Sequence, residues 1–272
     1  MTAPNARPLF RLAGGKQRLA GTLFAYLPEG VDEMDYVEPF AGAASLFFRV
    51  QPQHGLLADL NGHLIRAYRH VRDEPDLVYR YVRDHERLDS VRHYYTVRDL
   101  YNRGRWNAAQ AARFIYLNRT CFNGIFRVNR NGDFNVPYGR RPNPLFPTRE
   151  DLIAASSVLR GTELRHQCFR KTLARTTTES FVYLDPPYPP LNGTAFFTHY
   201  TKDRFTEDDQ LELAKVVNDL DRSGVPFMMS NADTPLIRRL YSRYDITPLT
   251  VTRFVTCKST RHRVRELVIR NY

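Results

Sequence analysis

Short apolar, β-branched runs separated by amphipathic stretches constrain the fold of this chain more than any other feature. A strand buried on both faces reads as a continuous apolar run, whereas a covering helix shows apolar residues at helical spacing. Alternation of the two therefore specifies a parallel sheet between helical layers. The runs predict strands at Asp35–Phe40, Gly55–Leu60, Glu163–Phe169, Ser180–Asp185, Val225–Ser230, Ile246–Val251 and Leu267–Tyr272. Leu211, Ala214, Val217 and Leu220 recur at helical spacing and predict a helix over Glu207–Arg222.

The alternation stops after the second predicted strand and resumes near Thr148. Within this interval Leu64, Ile65, Tyr68 and Val71 form one helical face, and Ala108, Ala111, Ala112 and Ile115 another. Beyond Asn118 the chain turns polar, aromatic and arginine-rich, and Asn131-Gly132-Asp133 offers the turn of a β-hairpin. Pro142, Pro144 and Pro147 mark the far boundary. The expected organisation is an inserted helical and β-hairpin module at 62–147, with the sheet domain discontinuous at 1–61 and 148–272.

Charge narrows the partner. The formal net charge is +11, and a soluble enzyme-sized chain with such an excess suits nucleic acid, because each phosphate it neutralises releases counterions. Two stretches concentrate it. Arg119, Arg127, Arg130, Arg140 and Arg141 stand against only Asp133 between residues 118 and 141. Arg253, Lys258, Arg261, Arg263 and Arg265 stand against no acid between 253 and 265. Both read as loops or hairpins, the second preceding the last predicted strand, where basic side chains are exposed for contact. No apolar run reaches membrane-spanning length, and Met1–Phe10 lacks the apolar core of a secretory signal, so the expected compartment is the cytoplasm. Cys121, Cys168 and Cys257 are too dispersed to suggest a disulfide framework or a metal site.

The chemistry points to Asp185-Pro186-Pro187-Tyr188, directly after the apolar run Phe181–Leu184. Ligands of open α/β sheets bind beyond the carboxyl ends of the strands, so this tetrapeptide is expected at a site. Its prolines fix the backbone and leave carbonyls free to accept hydrogen bonds. An exocyclic base amine is a poor nucleophile until acceptors hold its N–H groups, which Asp185 and the Pro186 carbonyl would do. Tyr188 would stack on a base taken out of the duplex. By itself the tetrapeptide also fits an ordinary strand end with a proline-rich turn.

Three further segments fit a cofactor. Glu38-Pro39-Phe40-Ala41-Gly42-Ala43-Ala44-Ser45 reads as a strand, a small-residue turn and a helix start, where backbone N–H groups point outward. Asp59, in Leu57-Ala58-Asp59-Leu60-Asn61, ends the next strand, where an acid would bind ribose hydroxyls, although an N-cap role fits it too. Lys16, after Ala13-Gly14-Gly15, would set an ammonium beside a cofactor carboxylate.

These segments, with Asn118–Gly139 between Asn61 and Asp185, occur in an order that resembles the DNA adenine methyltransferase (Dam) family, and the Pro226–Asp233 region looks similar as well. The resemblance implies a Rossmann-like seven-stranded methyltransferase sheet of α/β class, S-adenosyl-L-methionine as cofactor, and double-stranded DNA as partner, with no metal. Lys16, Phe40, Ala41, Gly42, Ala43, Asp59 and Asp185 would line the cofactor, and Asp185, Pro186, Pro187 and Tyr188 would hold a flipped adenine. Leu12 stands where family members often have an aromatic, and Arg141 where some do, so details of cofactor and target contact are expected to differ.

On the same resemblance, Arg127 and Arg140 are expected to contact guanine, Ile125 a thymine methyl, Phe122 the gap left by the extruded base, and Asn123 phosphate. Arg119 and Arg141 join this DNA-binding set, and Lys258, Arg261 and Arg263 are expected on phosphates. A GATC-like target and a separately acting restriction endonuclease belong to the same expectation. Transfer to cytosine N4, and a non-catalytic DNA-binding protein of this fold, stay open alternatives.

Overall fold

The computed structural model describes residues 6–12, 14–189, 205–254 and 261–272, with side chains at 252–263 left aside. Seven strands form one sheet: β1 (Asp35–Glu38), β2 (His54–Asp59), β3 (Thr162–His166), β4 (Ser180–Leu184), β5 (Phe227–Ala232), β6 (Asp245–Phe254) and β7 (Arg261–Arg270). Their order is β3-β2-β1-β4-β5-β7-β6, with the first five parallel and β7 antiparallel to both neighbours. All seven predicted strands are present.

Ten helices accompany the sheet among the described residues: α1 (Ala20–Phe24), α2 (Phe47–Val50), α3 (Gly62–Asp73), α4 (Pro75–Arg87), α5 (Val91–Arg103), α6 (Ala108–Thr120), α7 (Arg149–Leu159), α8 (Phe169–Leu173), α9 (Glu207–Arg222) and α10 (Pro235–Leu240). The α9 bounds are those read from its periodicity. Thr206 starts it with a reciprocal capping box to Asp209, and Thr148 does the same for α7 with Asp151.

The two-residue period of the strands sorts the core into two layers. Tyr36, Leu57, Leu164, Phe181, Tyr183, Met228 and Val268 face one cluster, which α3 to α7 complete. Val37, Leu56, Val182, Leu184, Phe227, Met229, Leu267 and Ile269 face the other, closed by Phe169 and Leu173 of α8, Leu213, Ala214, Val217 and Leu220 of α9, and Ile237 of α10. Every residue of β4 and β5 is buried, as central parallel strands require. The segment between β2 and β3 shares the first cluster with the sheet: Phe10 packs edge-on against Tyr68 of α3 and Phe114 of α6.

Two expectations are corrected. The basic stretch near the C-terminus does not simply precede the last strand, because β7 already begins at Arg261. Only Glu266–Arg270 pair with β5, so Arg261–Arg265 and their partners Thr250–Phe254 continue as a two-stranded arm past Ala232, beyond the edge where β4 ends. Pro248 is tolerated in β6 because that strand has no neighbour on its outer side. The hairpin expected around Asn131 is likewise reduced to two isolated bridges, Cys121 to Tyr138 and Val128 to Phe134. Its turn is organised by Asn129, whose side-chain oxygen accepts from the Asn131 and Asp133 amides. Phe126, Phe134 and Val136 turn into the core instead of building a ladder.

Candidate active site and nucleic-acid interface

Asp185 follows the last residue of β4 at the carboxyl edge of the sheet, with its side chain 21 % exposed. Its Oδ1 atom receives Lys16 Nζ at 2.8 Å and the Ser230 hydroxyl at 2.8 Å. Its Oδ2 atom takes no partner among the described residues. Two donors on one oxygen fix the carboxylate plane and leave the second oxygen for an incoming donor. Gln210 of α9 donates to the Pro187 carbonyl at 2.9 Å, while no described donor reaches the Pro186 carbonyl. The strand tip thus presents an acceptor carboxylate oxygen and an acceptor carbonyl from consecutive residues.

The Tyr188 hydroxyl donates to Glu266 Oε2 at 2.8 Å, and Lys16 Nζ lies 4.5 Å from the ring centre. Burial pushes the Tyr188 phenol well above its usual pKa, so it remains a donor. Glu266 Oε2 is also 3.7 Å from Lys16 Nζ. Ser230 and Glu266 were not singled out from the sequence. Ser230 was visible as the last residue of its predicted strand, whereas Glu266 became recognisable only through the pairing of β7 with β5.

The turn after β1 lies beside this group. Gly42 adopts φ +47, a left-handed conformation that favours glycine, and its amide donates to Asp59 Oδ2 at 2.9 Å. The other Asp59 oxygen accepts from the Asn61 amide at 2.7 Å. Burial raises the Asp59 pKa, and the Asn61 and Gly42 amides oppose that shift. The helix-capping role belongs to Asn61, whose side chain accepts from the His63 and Leu64 amides. Tyr68 of α3 fastens the turn by donating to the Gly42 carbonyl at 3.1 Å. Ala41 and Ala43 are buried, Leu12 approaches the turn from the N-terminal segment, and Phe40 stacks on Phe169 with centroids 5.5 Å apart.

Glu38, beneath the turn, is buried; its Oε1 accepts from the Tyr36 hydroxyl at 2.7 Å, and its Oε2 has no partner of hydrogen-bond geometry among the described residues. Burial raises its carboxyl to about 8, against the hydrogen bond from Tyr36. The Asn61 side-chain nitrogen is likewise buried without a partner among the described residues. Orphaned polar atoms, an open left-handed turn and a paired acid at one sheet edge suit a polar nucleoside-type ligand.

The arginine-rich segment forms a neighbouring surface. The Phe122 amide donates to the Pro137 carbonyl at 2.9 Å and the Gly139 amide to Thr120 at 2.8 Å, which brings Phe122 and Asn123 alongside Arg140 and Arg141. Gly139 is obligatory, since a Cβ there would sit 2.6 Å from the Cys121 carbonyl oxygen. Phe122, Asn123, Arg127, Arg140 and Arg141 are exposed and Ile125 is half-buried. Arg127 donates to Asn135 at 2.8 Å.

Arg119 departs from the expectation. Its guanidinium turns inward to the Leu9 carbonyl at 2.6 Å, and burial lowers its pKa to about 10. It ties the N-terminal segment to α6, as does Asn118, which accepts from the Arg11 amide and donates to the Arg11 carbonyl. The Arg119 guanidinium is thus aimed at the N-terminal segment and not at the exposed arginine surface, contrary to the expectation. Arg11, overlooked in the sequence, is brought close enough to Arg141 for the two charges to repel. Lys258 lies outside the described residues, and Arg261 and Arg263 open β7 with their side chains outside them too. Among the described residues no cluster of three metal-ligating side chains occurs, and no helix is long and apolar enough to cross a membrane.

The sheet order, with Asp59 and Asp185 at its carboxyl edge, is that of a Rossmann-like methyltransferase fold. The family model for D12 class N6 adenine-specific DNA methyltransferases matches residues 13–255. A Type II methyltransferase of Lactococcus lactis subsp. cremoris is 35% identical over 98% of this chain and 96% of its own length. The DNA adenine methylase of Escherichia coli (strain K12) is 35% identical over 96% of this chain and 94% of its own. A Type II methyltransferase of Methanocaldococcus jannaschii is 34% identical over 98% and 99%. The chain belongs to the D12 class of N6 adenine-specific DNA methyltransferases.

Proposed function

We propose that this methyltransferase uses S-adenosyl-L-methionine to methylate N6 of an adenine extruded from duplex DNA, within a short GATC-like site. The observation that carries the reading is the asymmetric loading of Asp185. Lys16 and Ser230 hold Oδ1, so Oδ2 and the Pro186 carbonyl are left for the two N–H groups of one amine. Held by two acceptors, the amine's lone pair is drawn out of ring conjugation and toward an electrophile. The cofactor, when bound, supplies that electrophile as a sulfonium methyl. Asp59 would accept ribose hydroxyls, the Gly42 turn would admit the cofactor close to the backbone, and Lys16 would face its carboxylate. Tyr188 offers the target base a stacking face.

Residues 62–147 would supply target recognition, with 1–61 and 148–272 as the catalytic domain. Arg127 and Arg140 would read guanine edges, Ile125 a thymine methyl, and Arg141, Asn123, Lys258 and, on the β6–β7 arm, Arg261 and Arg263 would hold phosphates. Phe122, 41 % exposed beside this surface, suits insertion where the base leaves the stack. The Type II names of two relatives favour a setting in which a separate restriction endonuclease recognises the same site, in the cytoplasm.

Incubation with cofactor labelled in its methyl group and duplex DNA, followed by digestion to nucleosides, tests the reading: label is expected in N6-methyldeoxyadenosine only. Label in N4-methyldeoxycytidine would overturn it. Asp185→Ala is expected to abolish transfer while DNA affinity stays within about threefold, and equal loss of both would reduce Asp185 to a structural role.

A further inference from the structure

Glu266 is a carboxylate in the interior of a sheet, 3 % exposed and paired across β7 with Ala232 of β5 and Leu249 of β6. Burying a charge there is costly unless partners compensate. Among the described residues, its Oε2 meets the Tyr188 hydroxyl at 2.8 Å and Lys16 Nζ at 3.7 Å. Both belong to the group around Asp185, although Glu266 lies two strands away in the order β4-β5-β7.

The consequence falls on Tyr188. Its backbone follows two prolines, so its Cα is constrained, and its hydroxyl is tied at the far end of the ring to a rigid strand. A phenol held at both ends has its plane fixed, whereas one held only at Cα can swing about two side-chain torsions. We propose that Glu266 is a positioning residue for methyl transfer, anchoring the Tyr188 hydroxyl so that the ring offers the target base one face in register with Asp185. This inference rests on the proposed stacking of an extruded adenine on Tyr188. Misplacement of a reacting group by about 1 Å costs up to about 100-fold in rate, so a loose ring slows transfer without weakening the grip on the duplex.

Three variants probe the hydrogen bond. Glu266→Leu removes the acceptor, Tyr188→Phe removes the donor but keeps the ring, and Glu266→Gln keeps an acceptor oxygen without the charge. Single-turnover methylation at saturating duplex and cofactor is expected to slow about 30-fold in each of the first two. Their combination should be no slower than Glu266→Leu alone, because Tyr188→Phe deletes a contact that Glu266→Leu has already removed. Glu266→Gln should stay within about fivefold of the native rate, and all should bind duplex within about threefold of it. Fluorescence of 2-aminopurine at the target position reports the base directly: quenching by the stacked ring is expected to weaken in Glu266→Leu and return in Glu266→Gln.

Multiplying losses in the double variant would overturn the proposal, as would Glu266→Gln as slow as Glu266→Leu. If Glu266→Leu does not fold, a native rate for Tyr188→Phe overturns it equally. A native protein that produces no 2-aminopurine change, or methylates another base, instead refutes the functional reading, a result separable from any behaviour of Glu266.

Discussion

Lys16 Nζ sits 2.8 Å from Asp185 Oδ1 and 4.5 Å over the Tyr188 ring, touching both groups assigned to the target base. The ammonium also neutralises a second acid, Glu266, at 3.7 Å. Replacing it with Met, similar in length but uncharged, leaves two neighbouring carboxylates without a counter-charge. Lys16→Met is expected to destabilise the fold by about 1–3 kcal/mol, as for other partly buried pairs that lose one partner. It should also weaken cofactor binding about tenfold, the equivalent of one modest charged contact. Thermal unfolding and titration calorimetry with cofactor measure the two effects. An unchanged cofactor affinity would remove Lys16 from the binding site.

Glu38 makes a pH prediction with a definite sign. Its carboxyl is raised to about 8 in the folded chain by burial, against an ordinary value of 4.5. Between these values the folded state keeps a proton that the unfolded state has lost, so rising pH erodes stability across that window. The contribution is complete below pH 4.5 and is lost as pH climbs through about 8. Glu38→Gln cannot ionise and should escape the loss. The stability of Glu38→Gln relative to native should therefore grow from pH 5 to 8, by at most about 1.4 kcal/mol per unit, and then level off. Urea unfolding of both proteins across that range checks it, and a flat difference would mean Glu38 is ionised throughout.

What was legible in the sequence follows from which features are local. Strand runs and the α9 periodicity depend on residues close in the chain, and the Asp185 and Asp59 positions follow from strand ends, so these could be read directly. Glu266 could not, because its function depends on a register between β7 and β5 that joins residues far apart in sequence. Arg119 misled for the same reason. A cluster of arginines specifies charge, not direction, and only the Leu9 carbonyl, 110 residues away, decides that this one turns inward. The hairpin at Asn131 failed because Phe126, Phe134 and Val136 gain more from burial in the core than from a regular ladder.

Asp59 holds two loops with one carboxylate, accepting from Gly42 and from Asn61. Asp59→Ala strands both amides, at an expected cost of about 2 kcal/mol, and removes the proposed ribose acceptor, so cofactor affinity should fall about 100-fold. Asp59→Asn retains one acceptor oxygen and should fall between native and Ala. Calorimetry reads the affinity and chemical denaturation the stability. Stability loss without any affinity loss would confine Asp59 to bracing the turn.

Asp89, between α4 and α5, makes the corresponding link for the arginine-rich surface. One of its oxygens accepts from Tyr116 of α6, which is fully buried, and the other from Tyr138, which precedes Gly139 and Arg140. This carboxylate adds a side-chain link between the core and the loop carrying Arg140 and Arg141, beside the backbone bonds at Phe122 and Gly139. Asp89→Ala leaves the Tyr116 hydroxyl unsatisfied and removes the side-chain tether of Tyr138, with an expected cost of about 1–3 kcal/mol. If Arg140 reads a base, loosening its loop should reduce discrimination between the preferred site and single-base variants by about tenfold, because directional contacts suffer more than phosphate contacts. Competition between such duplexes in one methylation reaction gives that ratio, while the rate on the preferred site should change less. Discrimination retained in a folded Asp89→Ala protein would show that sequence is read away from Arg140.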